Sequence, residues 1–292
     1  MGVHVRARKG DPPERYAAHL ERAVAAGPTL LSEMGAEATA STEGRLPSVR
    51  GGIEATGTGI KRLAGLDLRY PVFDWDGVPI KQGLHNRHLV GLMAANTFLN
   101  VTGLSLYGKA ALVVGYGPVG RGAADAARAA VTVCDPDPAA RLAAAHLGFP
   151  ATPRLEEGLA GADVVFTATG RDGAVPFDAL SVHGKSGAFL ANLGHTSGEL
   201  PVEALRHHLA DVPRPHVKRY EVEGKTLYLL AGGEMFNLAA GPGGPYDTFD
   251  LVTALMLEAT GFLATEGVGY PPGIHPLPKK VQGRAARRYL GE

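Results

Sequence analysis

Between residues 109 and 195 the chain alternates short apolar runs with segments in which apolar residues recur at helical spacing. The apolar runs, typical of buried strands, are KAALVVGYG (109–117), VTVCD (131–135), DVVFTATG (163–170) and GAFLANLGH (187–195), and KTLYLLAGG (225–233) adds a later one. The segments PVGRGAADAARAA and PAARLAAAHLGF between them predict helices. Apolar strands that alternate with helices are typical of a parallel sheet covered on both faces. The pattern therefore predicts a doubly wound α/β domain.

The flanking segments predict a second, smaller α/β region. Residues 11–26 predict a surface helix with Asp11 as its N-cap, and PTLLS (28–32) predicts a short strand. A further helix (GIKRLAGL) leads to the extended stretch LRYPVFDWD, and residues 86–103 predict one long helix. Another helix is expected over residues 246–264, before the tail GIHPLPKKVQGRAARRYL.

Three glycines directly after the first apolar strand form the most specific motif. Gly115 permits a tight turn, Gly117 lets the backbone approach a pyrophosphate, and Gly120 lets the next helix pack closely on the strand. Asp135 ends the second strand, where its carboxylate can accept hydrogen bonds from ribose hydroxyls and would repel a 2′-phosphate. The motif predicts a Rossmann-type domain that binds NAD rather than NADP.

Composition excludes several classes of protein. Lys and Arg number 29, as do Asp and Glu, so no basic excess favours a nucleic-acid partner. Cys134 is the sole cysteine, which argues against a disulfide framework or a zinc cluster, so no metal is expected and a reducing cytoplasm is the expected compartment. No apolar stretch reaches about 18 residues and no secretory signal is recognised, so no membrane association is expected.

Several motifs together resemble the S-adenosylhomocysteine hydrolase family. GYGPVGRG, DVVFTATG, NLGHTSGEL, LLAGGEMFNLAAGPGGP and GIHPLPKK occur in that family's order, and GGIEATGTGIKRL is similar to its cofactor segment. The resemblance runs from about residue 28 to residue 281. It implies a tightly held NAD, a homo-oligomer and three regions. These are a reduced substrate domain (1–104), an NAD-binding Rossmann domain (105–245) and a C-terminal helix and tail (246–292) that returns to the substrate domain. Relative to the family, part of the substrate domain and the C-terminal tail have no counterpart.

The resemblance also implies a chemistry. NAD oxidises the ribose 3′-hydroxyl of an adenosine-type nucleoside, the ketone acidifies the C4′ hydrogen, and the C5′ substituent leaves by elimination. In the hydrolase, water then adds and the hydride returns. The cofactor positions that it implies here are Thr56, Thr58, Asn86, Gly115, Gly117, Val119, Gly120, Asp135, Thr167, Thr169, Leu193, Gly194 and Asn237.

Lys81, His85, His195 and Glu33 are the candidate catalytic residues. His85 stands where the family has an aspartate, and it is interpreted either as a replacement acid or base or as a loop histidine. Lys81 matches a lysine near the 3′-hydroxyl, with an ordinary surface lysine as the alternative. His195 either lines the nicotinamide or is structural, and Glu33 is either catalytic or a solvated loop carboxylate.

Other family positions have changed. Ala55 replaces a glutamate, Gly57 a threonine and Gly244 a histidine. Because groups that would activate water are missing, the sequence favours a nucleoside dehydratase or lyase that stops at the alkene. A true S-adenosyl-L-homocysteine hydrolase and a catalytically inactive NAD-binding regulatory homologue are the alternatives.

Overall fold

The structure of the protein is a computed structural model that describes residues 4–8 and 11–292, with only the backbone described at Asp247 and Thr248. The strands are β1 (Leu30–Glu33), β2 (Gly51–Glu54), β3 (Pro71–Asp74), β4 (Ala110–Val114), β5 (Ala130–Cys134), β6 (Ala151–Thr152), β7 (Val164–Thr167), β8 (Ala188–Asn192), β9 (Leu209–Arg214), β10 (Val217–Val222), β11 (Lys225–Leu230) and β12 (Gly273–Pro276).

The α-helices are α1 (Pro13–Ala25), α2 (Glu37–Ser41), α3 (Gly57–Leu63), α4 (Gly91–Thr102), α5 (Pro118–Ala126), α6 (Pro138–His146), α7 (Leu155–Leu159), α8 (Phe177–His183), α9 (Val202–Arg206), α10 (Phe236–Ala239), α11 (Tyr246–Thr265) and α12 (Lys279–Leu290). A π-helix spans Lys81–Val90, and 3-10 turns occur at Ser197–Glu199, Ala231–Gly233 and Gly267–Gly269. The chain forms two compact units. The first comprises residues 1–81 and 250–292, and the second comprises residues 82–249.

The second unit contains an eight-stranded sheet in the order β6-β5-β4-β7-β8-β11-β10-β9. The first six strands of this order, from β6 through β11, are parallel to one another. The last two, β10 and β9, extend the sheet and pair antiparallel. Taken by position in the chain, the six parallel strands run 3-2-1-4-5-6, the order of the dinucleotide-binding fold. The predicted Rossmann-type fold is therefore confirmed.

The central parallel strands of this sheet are apolar because both faces of the sheet are buried there. Along β4, Ala111 and Val113 join the core on one face, while Leu112 and Val114 join the core on the other. Side chains of successive strand residues point to opposite faces, so a strand covered on both sides needs apolar residues at every position. This explains the unbroken apolar runs in the sequence.

The first unit has its own parallel sheet, in the order β1-β2-β3-β12. Phe73 of β3 packs with Phe262 of α11 and Val281 of α12, while its neighbour Val72 packs with Leu63 of α3 on the opposite face. The unit is thus a second α/β layer structure with helices on both faces of a short sheet.

Two local expectations were wrong. Asp11 is not the N-cap of α1. Pro12 takes that position without a side-chain cap, and the Asp11 carboxylate instead accepts a hydrogen bond from the Arg8 N–H (2.8 Å). The helix expected over 86–103 is two elements, because the π-helix extends to Val90 before α4 begins. A π-helix often marks a functional segment, and this one contains Lys81, His85 and Asn86.

Main-chain contact fixes this segment against α5. A Cβ atom on Gly122 of α5 would lie 1.6 Å from the carbonyl oxygen of Arg87, and one on Gly91 would lie 2.2 Å from the carbonyl carbon of Gly122. An ion pair between Arg87 and Asp125 (3.2 Å) supports the same contact. The glycines therefore allow the two helices to approach more closely than side chains would permit.

We expect Gly122→Ala to lower the free energy of unfolding of the second unit by about 1–3 kcal/mol or more, because the added methyl meets rigid backbone. Gly261→Ala, inside α11 with open space around its Cβ position, should instead raise stability by roughly 0.5–1 kcal/mol. Calorimetry of the two variants and the wild type measures both effects. Equal stability of the two variants would contradict the packing described here.

Candidate functional site

The turn from β4 to α5 is built from glycines with different tasks. Gly115 has a φ of 91°, and a Cβ atom there would lie 2.8 Å from the carbonyl oxygen of Ala168. On Gly120 it would lie 1.9 Å from the carbonyl oxygen of Gly115. Nothing lies within 4 Å of the Cβ position of Gly117. Gly115 and Gly120 are thus required because a side chain at either position would clash with the main chain. Gly117 instead leaves open space at the surface of the turn.

The same turn exposes the amino end of α5. Gly117 is the N-cap and offers no side-chain acceptor, so the first N–H groups of the helix have no side-chain cap. Unpaired N–H groups together with the positive end of the helix dipole bind phosphate oxygens well. Val119 lies in the first turn of this helix and is half-buried.

Asp135 ties this turn to the neighbouring strand. Its carboxylate accepts hydrogen bonds from the N–H of Tyr116 (2.7 Å) and the N–H of Asp137 (2.8 Å). A carboxylate has about four acceptor positions, so these contacts leave capacity for ribose hydroxyls. The residue that the sequence assigned to the ribose therefore also holds the glycine turn in shape.

A fully buried carboxylate organises the loop after β7. Glu199 accepts hydrogen bonds from the N–H of Thr169 (2.9 Å), the hydroxyl of Thr169 (2.9 Å) and the N–H of Gly170 (2.7 Å). These donors compensate the buried charge and fix the main chain at the carboxyl end of the strand. Sequence reasoning did not identify Glu199, because its partners lie about 30 residues away along the chain.

The side chain of Asn192 holds the loop after β8 through hydrogen bonds. Its amide nitrogen donates to the carbonyl oxygens of Thr196 (2.8 Å) and Gly233 (3.0 Å). Its amide oxygen accepts from the N–H of Gly194 (2.8 Å) and the hydroxyl of Thr167 (3.2 Å). Leu193 is buried between these anchored residues, whereas His195, just beyond them, is exposed.

Asn237, on α10, has a buried acceptor with no hydrogen-bond partner among the described residues. Its amide nitrogen donates to the carbonyl oxygen of Gly243 (2.9 Å), but the amide oxygen makes no bond, although the residue is only 2% exposed. Such an atom is costly unless a ligand supplies a donor. A carboxamide NH₂ group, like that of nicotinamide, has the required chemistry.

His85 lies beside Gly244. The Cε1 atom of His85 is 4.0 Å from the Cβ position of Gly244, and the imidazole packs edge-on against the ring of Phe249 with 6.4 Å between ring centres. Asn86, next in the π-helix, donates from its amide to the side-chain oxygen of Gln82 (3.3 Å). An imidazole thus occupies the neighbourhood in which the resemblance implies a histidine at position 244.

In the first unit, Glu54 organises the segment that contains the candidate threonines. The carboxylate is 1% exposed and accepts hydrogen bonds from the N–H groups of Gly35 (2.9 Å), Ala36 (2.8 Å) and Thr56 (2.7 Å), and from the Thr56 hydroxyl (2.7 Å). Thr56 is in turn the N-cap of α3. Thr58, within α3, is half-buried.

The structure gives Glu33 a structural position. One carboxylate oxygen accepts from the N–H groups of Ala38 (2.7 Å) and Thr39 (3.1 Å), and the other from the Thr39 hydroxyl. Burial, followed by the repulsion from Glu54, raises the pKa of this carboxyl, and the hydrogen bonds from Thr39 and Ala38 oppose that shift. Both oxygens are therefore engaged with the start of α2.

Lys81 is nearly buried and paired with a carboxylate. Its ammonium donates to Asp76 and to the carbonyl oxygen of Ala55 (3.2 Å), and it lies 5.7 Å from the centre of the Trp75 ring. The side chain is 12% exposed, which is unlike an ordinary surface lysine. Asp76 was missed by sequence reasoning, since no motif links it to Lys81.

Three further features of residues 4–8 and 11–292 concern metal ions, membranes and the single thiol. In this part of the chain there is no cluster of three His, Cys, Asp or Glu side chains suited to a metal ion, and no helix is long and apolar enough to cross a membrane. Burial raises the pKa of the Cys134 thiol to about 11, which makes it a poor nucleophile at neutral pH.

We expect Gly117→Ala to fold normally but to bind NAD about 10- to 100-fold more weakly, because a methyl would stand between the backbone and the pyrophosphate. Gly161→Ala, a surface glycine of the same unit with nothing near its Cβ position, is the matched control and should bind NAD normally. Calorimetric titration with NAD measures both. Unchanged affinity in Gly117→Ala would remove the glycine turn from the cofactor site.

Comparison with known proteins gives a consistent identification. A family described as "S-adenosyl-L-homocysteine hydrolase, NAD binding domain" matches residues 94–243. An S-inosyl-L-homocysteine hydrolase of Methanopyrus kandleri is 34% identical over 307 residues, covering 99% of this chain and 71% of the relative. Adenosylhomocysteinases of Thermotoga maritima (34%, 99% of this chain, 74% of the relative) and Thermoplasma volcanium (32%, 100% and 73%) are similar.

The match includes the glycine turn, Asp135 and Asn237. NAD is therefore the cofactor that this domain binds, and the chain belongs to the S-adenosyl-L-homocysteine hydrolase family.

Proposed function

We propose that the protein acts on an adenosine-type nucleoside by transient oxidation of the sugar 3′-hydroxyl and elimination at C4′ and C5′. The observation that carries this proposal is the unpartnered amide oxygen of Asn237, in the same unit as the glycine turn, because it fits a nicotinamide carboxamide. The second unit is accordingly proposed as the NAD domain and the first as the substrate domain.

Bound NAD would accept a hydride from the sugar 3′-carbon and return it at the end, so the reaction needs no external oxidant. The chain's own residues would supply orientation and proton transfer. As the hydride leaves, the 3′-hydroxyl proton would pass to water. We assign Lys81 to the 3′-oxygen, since its ammonium is fixed by two partners and can donate a third hydrogen bond to an oxygen that becomes negative. Thr56, Thr58 and Asn86 are proposed to contact the cofactor, as the resemblance implies.

His85 is proposed to remove the C4′ hydrogen that the 3′-ketone acidifies. An imidazole titrates near neutral pH, so it can take this proton and give it to the leaving group, which departs as water from adenosine or as the thiol from an S-nucleosylhomocysteine. As the C4′–H electron pair forms the C4′=C5′ bond, the C5′ substituent departs with its own electron pair. Glu33 is not assigned a proton-transfer role, because α2 engages both of its oxygens. For His195 we propose only that it lies beside the nicotinamide.

The final step distinguishes a lyase from a hydrolase. Ala55 and Gly244 offer no acid or base where the resemblance implies a glutamate and a histidine, so few side chains are left to activate water. This favours a nucleoside dehydratase or lyase that ends at the alkene. The names of the relatives favour the second candidate, hydrolysis of an S-nucleosylhomocysteine.

With adenosine or S-adenosylhomocysteine, we expect the purified protein loaded with NAD to show the near-ultraviolet absorbance of NADH within one turnover. Mass spectrometry of the products then separates the two activities. Loss of water from adenosine indicates a dehydratase, and release of homocysteine together with adenosine indicates a hydrolase. If no adenosine or inosine derivative reduces the bound NAD, the proposed function is wrong and a non-catalytic NAD-binding protein is favoured.

His85→Asn should still form NADH with adenosine but should exchange the C4′ hydrogen with deuterated water on the order of 100-fold more slowly, the usual contribution of a positioned base. His88→Asn, at an exposed histidine of the same π-helix, is the matched control and should exchange normally. Exchange is followed by proton NMR of the recovered nucleoside. A wild-type exchange rate in His85→Asn would assign the proton to another group.

A further inference from the structure

We propose that Asp76 positions the ammonium of Lys81 for the sugar oxygen, and that the absence of a side chain at Gly57 leaves room for it to do so. The inference rests on the proposed function for the identity of the oxygen. It adds a residue that no motif in the sequence assigns, and it makes Asp76 a positioning residue, because Asp76 acts through Lys81.

The contacts of Lys81 define the direction of its remaining donor. The ammonium donates one hydrogen to the carboxylate of Asp76 and one to the carbonyl oxygen of Ala55 (3.2 Å). An ammonium has three donors in tetrahedral geometry, so two fixed partners determine where the third points. The carbonyl alone would leave the group free to rotate about one contact.

Burial makes the pairing with Asp76 strong. The side chains of Lys81 and Asp76 are only 12% and 15% exposed, and Trp75, whose ring faces the ammonium at 5.7 Å, is 2% exposed. A nearly buried ammonium without a counter-charge is unfavourable, so removal of the carboxylate should leave Lys81 free to move toward water. Asp76 thus keeps the charged amine in the interior.

Gly57 sets the space available to the carboxylate. A Cβ atom at Gly57 would lie 3.1 Å from the Oδ2 atom of Asp76, a distance that forces the carboxylate to shift. Gly57 is the first residue of α3, next to the N-cap Thr56 that Glu54 holds. The wall opposite Asp76 is therefore rigid, and even a methyl at Gly57 should displace the carboxylate and, with it, Lys81.

The main test compares Asp76→Asn with Asp74→Asn. Asp74 is a second carboxylate at the end of β3, but it accepts a hydrogen bond from the N–H of Gly77 (2.8 Å) and takes no part in holding Lys81. In Asp76→Asn we expect the rate constant for NADH formation from adenosine to fall about 100-fold, the cost of a misplaced reacting group, with KM changed by less than about threefold. Asp74→Asn should behave as the wild type.

A second readout needs neither cofactor nor substrate. Brief acetylation of the folded protein with acetic anhydride, followed by peptide mass spectrometry, reports the accessibility of each lysine. Lys81 should be modified slowly in the wild type and in Asp74→Asn, and several-fold faster in Asp76→Asn. The exposed Lys279 should react equally in all three proteins.

Gly57→Ala provides a variant that keeps both charged groups. It should reduce NADH formation in the same direction as Asp76→Asn, whereas Gly65→Ala, with open space at its Cβ position, should have no effect. Equal labelling of Lys81 in the wild type and Asp76→Asn, or oxidation by Asp76→Asn at the wild-type rate, would overturn the inference. If the wild type itself forms no NADH, the proposed function is wrong. The acetylation of Lys81 then remains as the test of its pairing with Asp76.

Discussion

The second unit depends on one constraint, the direct packing of the main chain of α5 against neighbouring main chain. At its amino end, Gly120 brings the helix against the carbonyl of Gly115, and along its side, Gly122 meets the carbonyl of Arg87. The first contact shapes the turn whose N–H groups are proposed to bind a pyrophosphate. The second fixes the π-helix segment with His85 and Asn86. A single helix therefore sets both the cofactor turn and the position of a candidate base, and a methyl at either contact would disturb one of them.

In both units a buried carboxylate fixes a loop by accepting hydrogen bonds. Glu199 in the second unit and Glu54 in the first are almost completely buried, and each accepts hydrogen bonds from main-chain N–H groups and from one threonine hydroxyl. Donors arranged in this way compensate the charge without a cation. Both carboxylates fix loops at the carboxyl ends of parallel strands, the edge where α/β proteins bind ligands. Glu199 thereby fixes the position of Thr169, and Glu54 fixes that of Thr56.

Periodicity in the sequence was sufficient to predict the parallel strands β4, β5, β7, β8 and β11, because each contains an apolar run whose residues join the cores on both faces of the sheet. It was insufficient for β9, whose six residues are all exposed at the edge of the sheet, and for β10, where buried and exposed positions mix and polar residues interrupt the run. One long helix was expected over residues 86–103, whereas the structure has a π-helix over Lys81–Val90 followed by α4.

The turn formed by the glycines could be predicted because its conformation follows from local spacing, and the role of Asp135 at the ribose stays a prediction. The roles of Glu199, Glu54 and Asp76 could not be predicted, because the groups that define them are brought together by folding. Glu33 shows the converse. Its place in the sequence resemblance made it a catalytic candidate, whereas its carboxylate caps α2.

The central claim is that NAD lies in the second unit with its pyrophosphate at the amino end of α5 and its carboxamide at Asn237. A crystal structure of the protein with NAD tests this most directly. We predict phosphate oxygens within hydrogen-bond distance of the first N–H groups of α5, and the carboxamide nitrogen within the same distance of the Asn237 amide oxygen. A pyrophosphate bound elsewhere, or an Asn237 oxygen that turns to a donor of the protein itself, would contradict it.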